Sequence, residues 1–234
     1  MIRPGLIILI VASSILPIIA QDFFGESDMF LKKYVQEGKV AYSEIQQDSK
    51  ELDKLINYIS AFSLDQVPDR EQKAFYINAY NILVIKGIVD NYPIQSPLDK
   101  EGFFDKVKYK VAGEPLTLNE IENIKLRKKY NDPRIHFILV CAAVSCPELI
   151  SSVYHPESLE KQIESSTIKS LNDPEFVRVS DSKIAISEIF KWYAEDFGGQ
   201  SNYKNFINKY RKNKLPNNVA LSFYEYDWSL NEKK

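Results

Sequence analysis

Cysteine and histidine are the scarcest chemistry-bearing residues in the chain. There are two of each, Cys141, Cys146, His136 and His155, and three of the four lie between positions 136 and 146. A thiol beside an imidazole can ionise as a thiolate–imidazolium pair and attack a carbonyl. The same two cysteines, with four residues between them, can instead close a disulfide, and then neither is a nucleophile. From the residues alone both readings stay open. A zinc set does not fit, because a C-x₄-C pair with one histidine before it and one after lacks the usual ligand spacing. No metal and no cofactor is expected.

The elements around these residues sharpen the choice. Pro147 is suited to the first position of a helix, which would put Cys146 at its N-cap, where free N–H groups and the helix dipole favour a thiolate and could also hold an oxyanion. Arg134–Cys141 (RIHFILVC) is apolar on both faces except at Arg134 and His136, as in a strand inside a sheet. A buried imidazole there needs a partner. Glu122, on the helix just before that strand, is the candidate for orienting it. The catalytic candidates are therefore Cys146, His136 and Glu122. Asn78 and Asn81, three apart on an apolar helix, face the same way and either line a pocket as substrate-binding groups or brace a loop.

Residues 70–92 are expected to form the strongest helix, apolar around much of its circumference and ended by Pro93. Shorter helices are expected over 27–37 and 42–62. Alternation over 106–111 marks a half-exposed strand, turned at Ala112-Gly113-Glu114 into a hairpin with Pro115 and Leu116. Thr117 and Glu120 fit a capping box for a helix over 118–129. Further helices are expected over 156–171, 187–197 and 202–211, with hairpin strands at 176–179 and 184–186 about Ser180-Asp181-Ser182 and a last strand over 219–228. The order favours an α+β fold, helices packed on an antiparallel sheet.

The bulk properties set the context. The 234 residues are 44% hydrophobic and 26% charged, with a formal net charge of −2, ordinary for a globular protein and without the basic excess of a nucleic-acid binder. Gly5–Ala20 contains no charge and follows a single Arg3, and Ala20 precedes Gln21 as a small residue at a cleavage point. That run suits a signal peptide over residues 1–20 and is short for a membrane span. The expected product is one exported domain over 21–234, periplasmic or extracellular, with no membrane span once the signal is removed.

Several segments together resemble the domain-of-unknown-function family numbered 547. They are Ala74–Asn81 (AFYINAYN), Leu118–Glu122 (LNEIE), Asp132–Cys141 (DPRIHFILVC) continuing to Ser145–Leu149 (SCPEL), and Tyr226–Asn231 (YDWSLN), a resemblance spread over about residues 40–231. The family pattern has been likened to papain-like or transglutaminase-like cysteine hydrolases. That likeness implies the nucleophile at Cys146, the base at His136 and the acid at Glu122. Here His precedes Cys, so any shared architecture is rearranged, and Glu148 stands where a second proline is expected. Two functions follow. One is a cysteine-dependent hydrolase or acyl transferase acting on a peptide or amide-containing substrate. The other is a non-catalytic binding or scaffold domain in which the His/Cys segment is structural.

Overall fold

The structure is a computed structural model, and it describes residues 16–180 and 182–233, with side chains described from Phe23 onward. Most of the expected signal peptide, and Asp181 of the expected turn, lie outside the described residues.

The N-terminal half is helical. Helix α1 (Leu16–Tyr34) leads into a two-residue hairpin, β1 (Val35–Gln36) and β2 (Lys39–Val40). Its turn residues Glu37 and Gly38 both have positive φ, at 49° and 74°, as a tight primed turn requires. Gly38 has a second constraint: a Cβ there would sit 2.7 Å from Glu148 Cγ. Two helices follow, α2 (Tyr42–Gln47) and α3 (Lys50–Ala61), where hydrophobic spacing alone suggests one. Asp48 is extended between them. Helix α4 (Asp69–Asn91) is the central element, and every residue from Lys73 to Ile85 is buried. It packs on α2, α3 and the helix that follows the second hairpin.

That second hairpin pairs β3 (Tyr109–Val111) with β4 (Glu114–Leu116). The Thr117 hydroxyl then accepts from Glu120 N–H while Glu120 accepts from Thr117 N–H, a complete capping box. The helix it starts is unusual inside. After α5 (Leu118–Glu120) it widens into a π-helix over Ile121–Arg127 and closes as α6 (Lys128–Tyr130), with Asn131 left-handed at its end. A run of π-helix is rare overall and is frequent at functional sites.

The expected strand over 134–141 does not form. Asp132 caps a 3₁₀ turn, Pro133–Phe137, by accepting from Arg134 N–H, and Pro133 occupies the first position, where its missing N–H is no loss. The backbone beyond the turn is satisfied without a sheet. Asn81 of α4 donates to the Ile138 carbonyl and accepts from Val140 N–H, both at 2.9 Å. A side chain thus replaces the neighbouring strand. An apolar run without a period cannot tell these outcomes apart.

The C-terminal half carries α7 (Leu159–Asn172), β5 (Val177–Val179), β6 (Ile184–Ile186), α8 (Ile189–Trp192), α9 (Tyr203–Tyr210) and β7 (Leu221–Phe223). The fold is α+β, but not with one antiparallel sheet. The described strands form two hairpins and a three-stranded sheet, β5-β6-β7, in which β5 is antiparallel and β7 parallel to β6. The expected last strand shrinks to three residues because the chain beyond Phe223 leaves the sheet. It runs back along the cysteine loop, where Val144 N–H donates to Ser229 and Ser145 N–H to Asp227, and on to the first hairpin, where Val40 N–H donates to Asn231. No helix among the described residues is long and apolar enough to cross a membrane.

Two hydrophobic cores result. One surrounds α4; the other gathers Phe137, Phe190, Phe197 and Phe206. Cys146 packs against both, so the candidate residues lie at their seam.

Candidate active site

At that seam lies an open cavity of about 360 Å³. Tyr80 of α4, Glu122 of the π-helix, His136 and Leu139 form one side, with Cys141 and Cys146 between them. Tyr193, which lies against His136, and Trp192, Tyr226 and Trp228 from the C-terminal half complete the lining. The sequence candidates Cys146, His136 and Glu122 therefore share one cavity. Asn78 and Asn81 do not line it.

Those two asparagines are bound to backbone on both sides. Asn78 donates to the Ala74 and Tyr154 carbonyls and accepts from Tyr154 N–H, while Asn81 holds Ile138 and Val140 as described above. Asn81 therefore fixes the chain between His136 and Cys141. Replacing Asn81 with Ala leaves a buried carbonyl and a buried N–H unpaired, and we expect a loss of about 2 kcal/mol in denaturant unfolding.

His136 is 4% exposed. Its ring stacks on Tyr193, with centroids 4.0 Å apart, and its Nε2 lies 2.7 Å from Asp196 Oδ2. The carboxylate on the ring is thus Asp196 and not Glu122. Arg127 holds the same carboxylate with two bonds, Nε at 2.7 Å and Nη2 at 2.9 Å. The bond from His136, working against partial burial and joined by those from Arg127, holds the Asp196 carboxyl well below the usual carboxylate range. An ionised Asp196 only accepts. In the neutral imidazole the proton therefore sits on Nε2, which leaves Nδ1 as the basic nitrogen. Among the described residues Nδ1 has no hydrogen-bond partner, and it is not among the sealed polar atoms without one.

The π-helix is what brings Arg127 to this place. Residues five apart on an α-helix diverge by roughly 140°. In a π-helix the i→i+5 hydrogen bond stacks them, so Glu122 and Arg127 face the same region. Glu122 itself is 7% exposed. Its one hydrogen bond among the described residues comes from the Tyr80 hydroxyl at 3.4 Å.

Cys141 and Cys146 are joined by a disulfide. The helix expected after Pro147 is absent: Cys146 N–H closes a turn onto the Ala143 carbonyl at 3.1 Å, and Val144 and Ser145 are committed to the C-terminal segment. No helix dipole acts on Cys146. The donors to its sulfur are Cys141 N–H at 2.9 Å and the Tyr226 hydroxyl at 3.2 Å. No hydrogen bond among the described residues joins His136 to either sulfur. Between the cysteines Ala142 is left-handed, φ +64°, a conformation that costs a non-glycine residue about 1 kcal/mol or more and that tends to gather at functional sites.

Several site residues carry no local signal in the sequence. Asp196 lies 60 positions from His136, near the end of a stretch that reads as an ordinary surface helix. Arg127 is on a face that α-helical spacing turns away. Trp192 and Trp228 are the chain's two tryptophans, and that rarity was the available hint. Among the described residues no cluster of three or more His, Cys, Asp or Glu is placed to hold a metal ion. Comparison with curated proteins and with solved structures yields no match. The model of the family described as "Protein of unknown function, DUF547" matches residues 64–169, the stretch that carries Asn78, Asn81, Glu122, His136, Cys141 and Cys146, and over that stretch the chain resembles this family.

Proposed function

We propose that the cavity is the active site of an exported cysteine-dependent hydrolase or acyl transferase for amide or peptide substrates, with the Cys141–Cys146 disulfide as its resting form. The observation that carries this reading is the meeting, in one open cavity, of Cys146 with an imidazole whose other nitrogen is already held by a carboxylate. The shared ancestry with cysteine hydrolases that the family pattern suggests would be a rearranged one, since the histidine precedes the cysteine.

The chemistry balances in three steps. A dithiol reduces the disulfide and is itself oxidised to a disulfide, which leaves two thiols. His136 Nδ1 takes the Cys146 proton, the sulfur attacks the amide carbonyl, and the proton passes to the departing amine, giving a thioester. Water or a second amine then attacks the thioester with His136 as base, and the thiol is restored. Tyr226 is the donor this scheme assigns to the oxyanion.

The disulfide also favours a second reading, a binding domain with a stapled wall. Alkylation separates the two. In Cys141→Ala, which frees Cys146, iodoacetamide at neutral pH should label Cys146 about tenfold faster than glutathione, and His136→Ala in that background should remove the advantage. Labelling no faster than glutathione would sink the catalytic reading and leave the binding one.

A further inference from the structure

Glu122 is a buried carboxylate without a cation. Among the described residues no Lys, Arg or His nitrogen lies within ion-pair distance of it, and the partners that face it are two neutral phenols, Tyr80 at 3.4 Å, long for a hydroxyl donor, and Tyr193. Arg127, which feels the Glu122 charge, is taken up by Asp196 through two short bonds. Those two charges cancel, so an ionised Glu122 leaves the site with an excess negative charge. A carboxylate buried in this way is costly unless something pairs with it. The phenols beside it, Tyr80 and Tyr193, are pushed up by burial and by Glu122 itself, so they remain neutral donors and bring no charge.

The same cavity carries an aromatic cluster. Trp192 and Trp228 stack with centroids 5.7 Å apart at 26°, and Tyr226 lies 4.8 Å from each. Trp192 is 43% exposed, an unusual position for that side chain. Aromatic faces that share a cavity with a carboxylate attract organic cations and repel anions.

We infer that the cavity takes an organic ammonium group, the amine-bearing end of a ligand whose charge meets Glu122 and whose apolar body lies on Trp192 and Trp228. This deepens the proposed function, since an amine is what an amide hydrolase releases and what an acyl transferase acylates. It rests on that reading only in taking the cavity as the substrate site. Binding is measured on the disulfide form, so its failure is distinct from a failure of thiol chemistry.

The two tryptophans make the test direct, because intrinsic indole fluorescence reports this cavity alone. The oxidised full chain is titrated at neutral pH and fixed ionic strength with benzylammonium, benzyl alcohol and benzoate. Benzylammonium should saturate a fluorescence change about tenfold more tightly than benzyl alcohol, with benzoate weakest. Glu122→Gln should erase that preference. Equal or tighter binding of benzyl alcohol or benzoate, no saturable change with benzylammonium, or a preference that survives Glu122→Gln each overturns the inference. The ranking in the unmodified protein decides it alone if Glu122→Gln does not fold.

Discussion

Replacing Asp132 with Asn should lower stability by about 3 kcal/mol and flatten the protein's acid sensitivity. Asp132 does three things at once. Its Oδ1 caps the turn that carries His136. It receives Lys73 Nζ at 2.9 Å and Arg134 Nη2 at 2.8 Å. The Lys73 side chain is only 8% exposed, and without Asp132 its remaining anion is Glu160, at 3.6 Å and well exposed. A buried ammonium deprived of its partner is the costly outcome, more so than the loss of the pair's own attraction. In a chain of this size the loss corresponds to a fall in Tm of roughly 10 °C, measurable by thermal circular dichroism.

The pH dependence has a fixed sign. Burial alone raises the Asp132 carboxyl, but hydrogen bonds from Arg134 and Lys73 overcome it and bring it from 3.8 down to about 2. The folded protein therefore holds this proton more weakly than the unfolded chain. The stabilisation is complete above about pH 4 and is lost as pH falls through about 2. The wild-type protein should lose stability across that window faster than Asp132→Asn, whose curve lacks this contribution. Parallel curves would show that the carboxylate's charge is not what Lys73 and Arg134 recognise.

Asp132 also shows where sequence reading works here and where it stops. The Thr117–Glu120 capping box, the hairpin about Ala112 and Gly113, and the buried helix α4 are local patterns, set by residues within a turn or two of one another, and they form as the spacing predicts. The 134–141 segment differs because its backbone partners are not local. Asp132-Pro133 can open a 3₁₀ turn or simply break a helix, and the choice is made by Asn81, more than fifty positions away. The same holds at Cys146. Pro147 is a good first helical residue, yet the neighbouring N–H groups go to Asp227 and Ser229 instead. The Tyr226–Asn231 motif is conspicuous in the sequence but acquires its role only in three dimensions. Tyr42 donates to Asn231, Asn231 donates to Gly38, and Tyr226 donates to the Cys146 sulfur. Glu122 reads from the sequence as an acid near the histidine, and it lines the cavity. The π-helix that carries both Glu122 and Arg127, the partner of Asp196, has no signature at the level of apolar spacing.

Asp196 is where structure and proposed chemistry are most tightly joined, and Asp196→Asn should change both. Arg127 and His136 lose the charge they share, and because Arg127 is about a quarter exposed the expected cost is about 2–3 kcal/mol, less than for a sealed pair. The functional effect should be larger in proportion. An ionised Asp196 dictates that Nε2 carries the proton and Nδ1 is basic. An amide can present either its oxygen or its NH₂ to the ring, so the working tautomer is no longer imposed. In the Cys141→Ala background the rate of Cys146 alkylation should fall by about tenfold or more, and the pH at which labelling reaches half its plateau should move upward. A purely structural Asp196 would give the same loss of stability with an unchanged pH profile, because a thiol that does not use His136 is indifferent to how that ring is held. Restoring the carboxylate as Asp196→Glu, one methylene longer, should recover part of the stability through Arg127. It should recover the pH profile only if the longer arm still reaches Nε2, and so it separates the ion pair from the imidazole it orients.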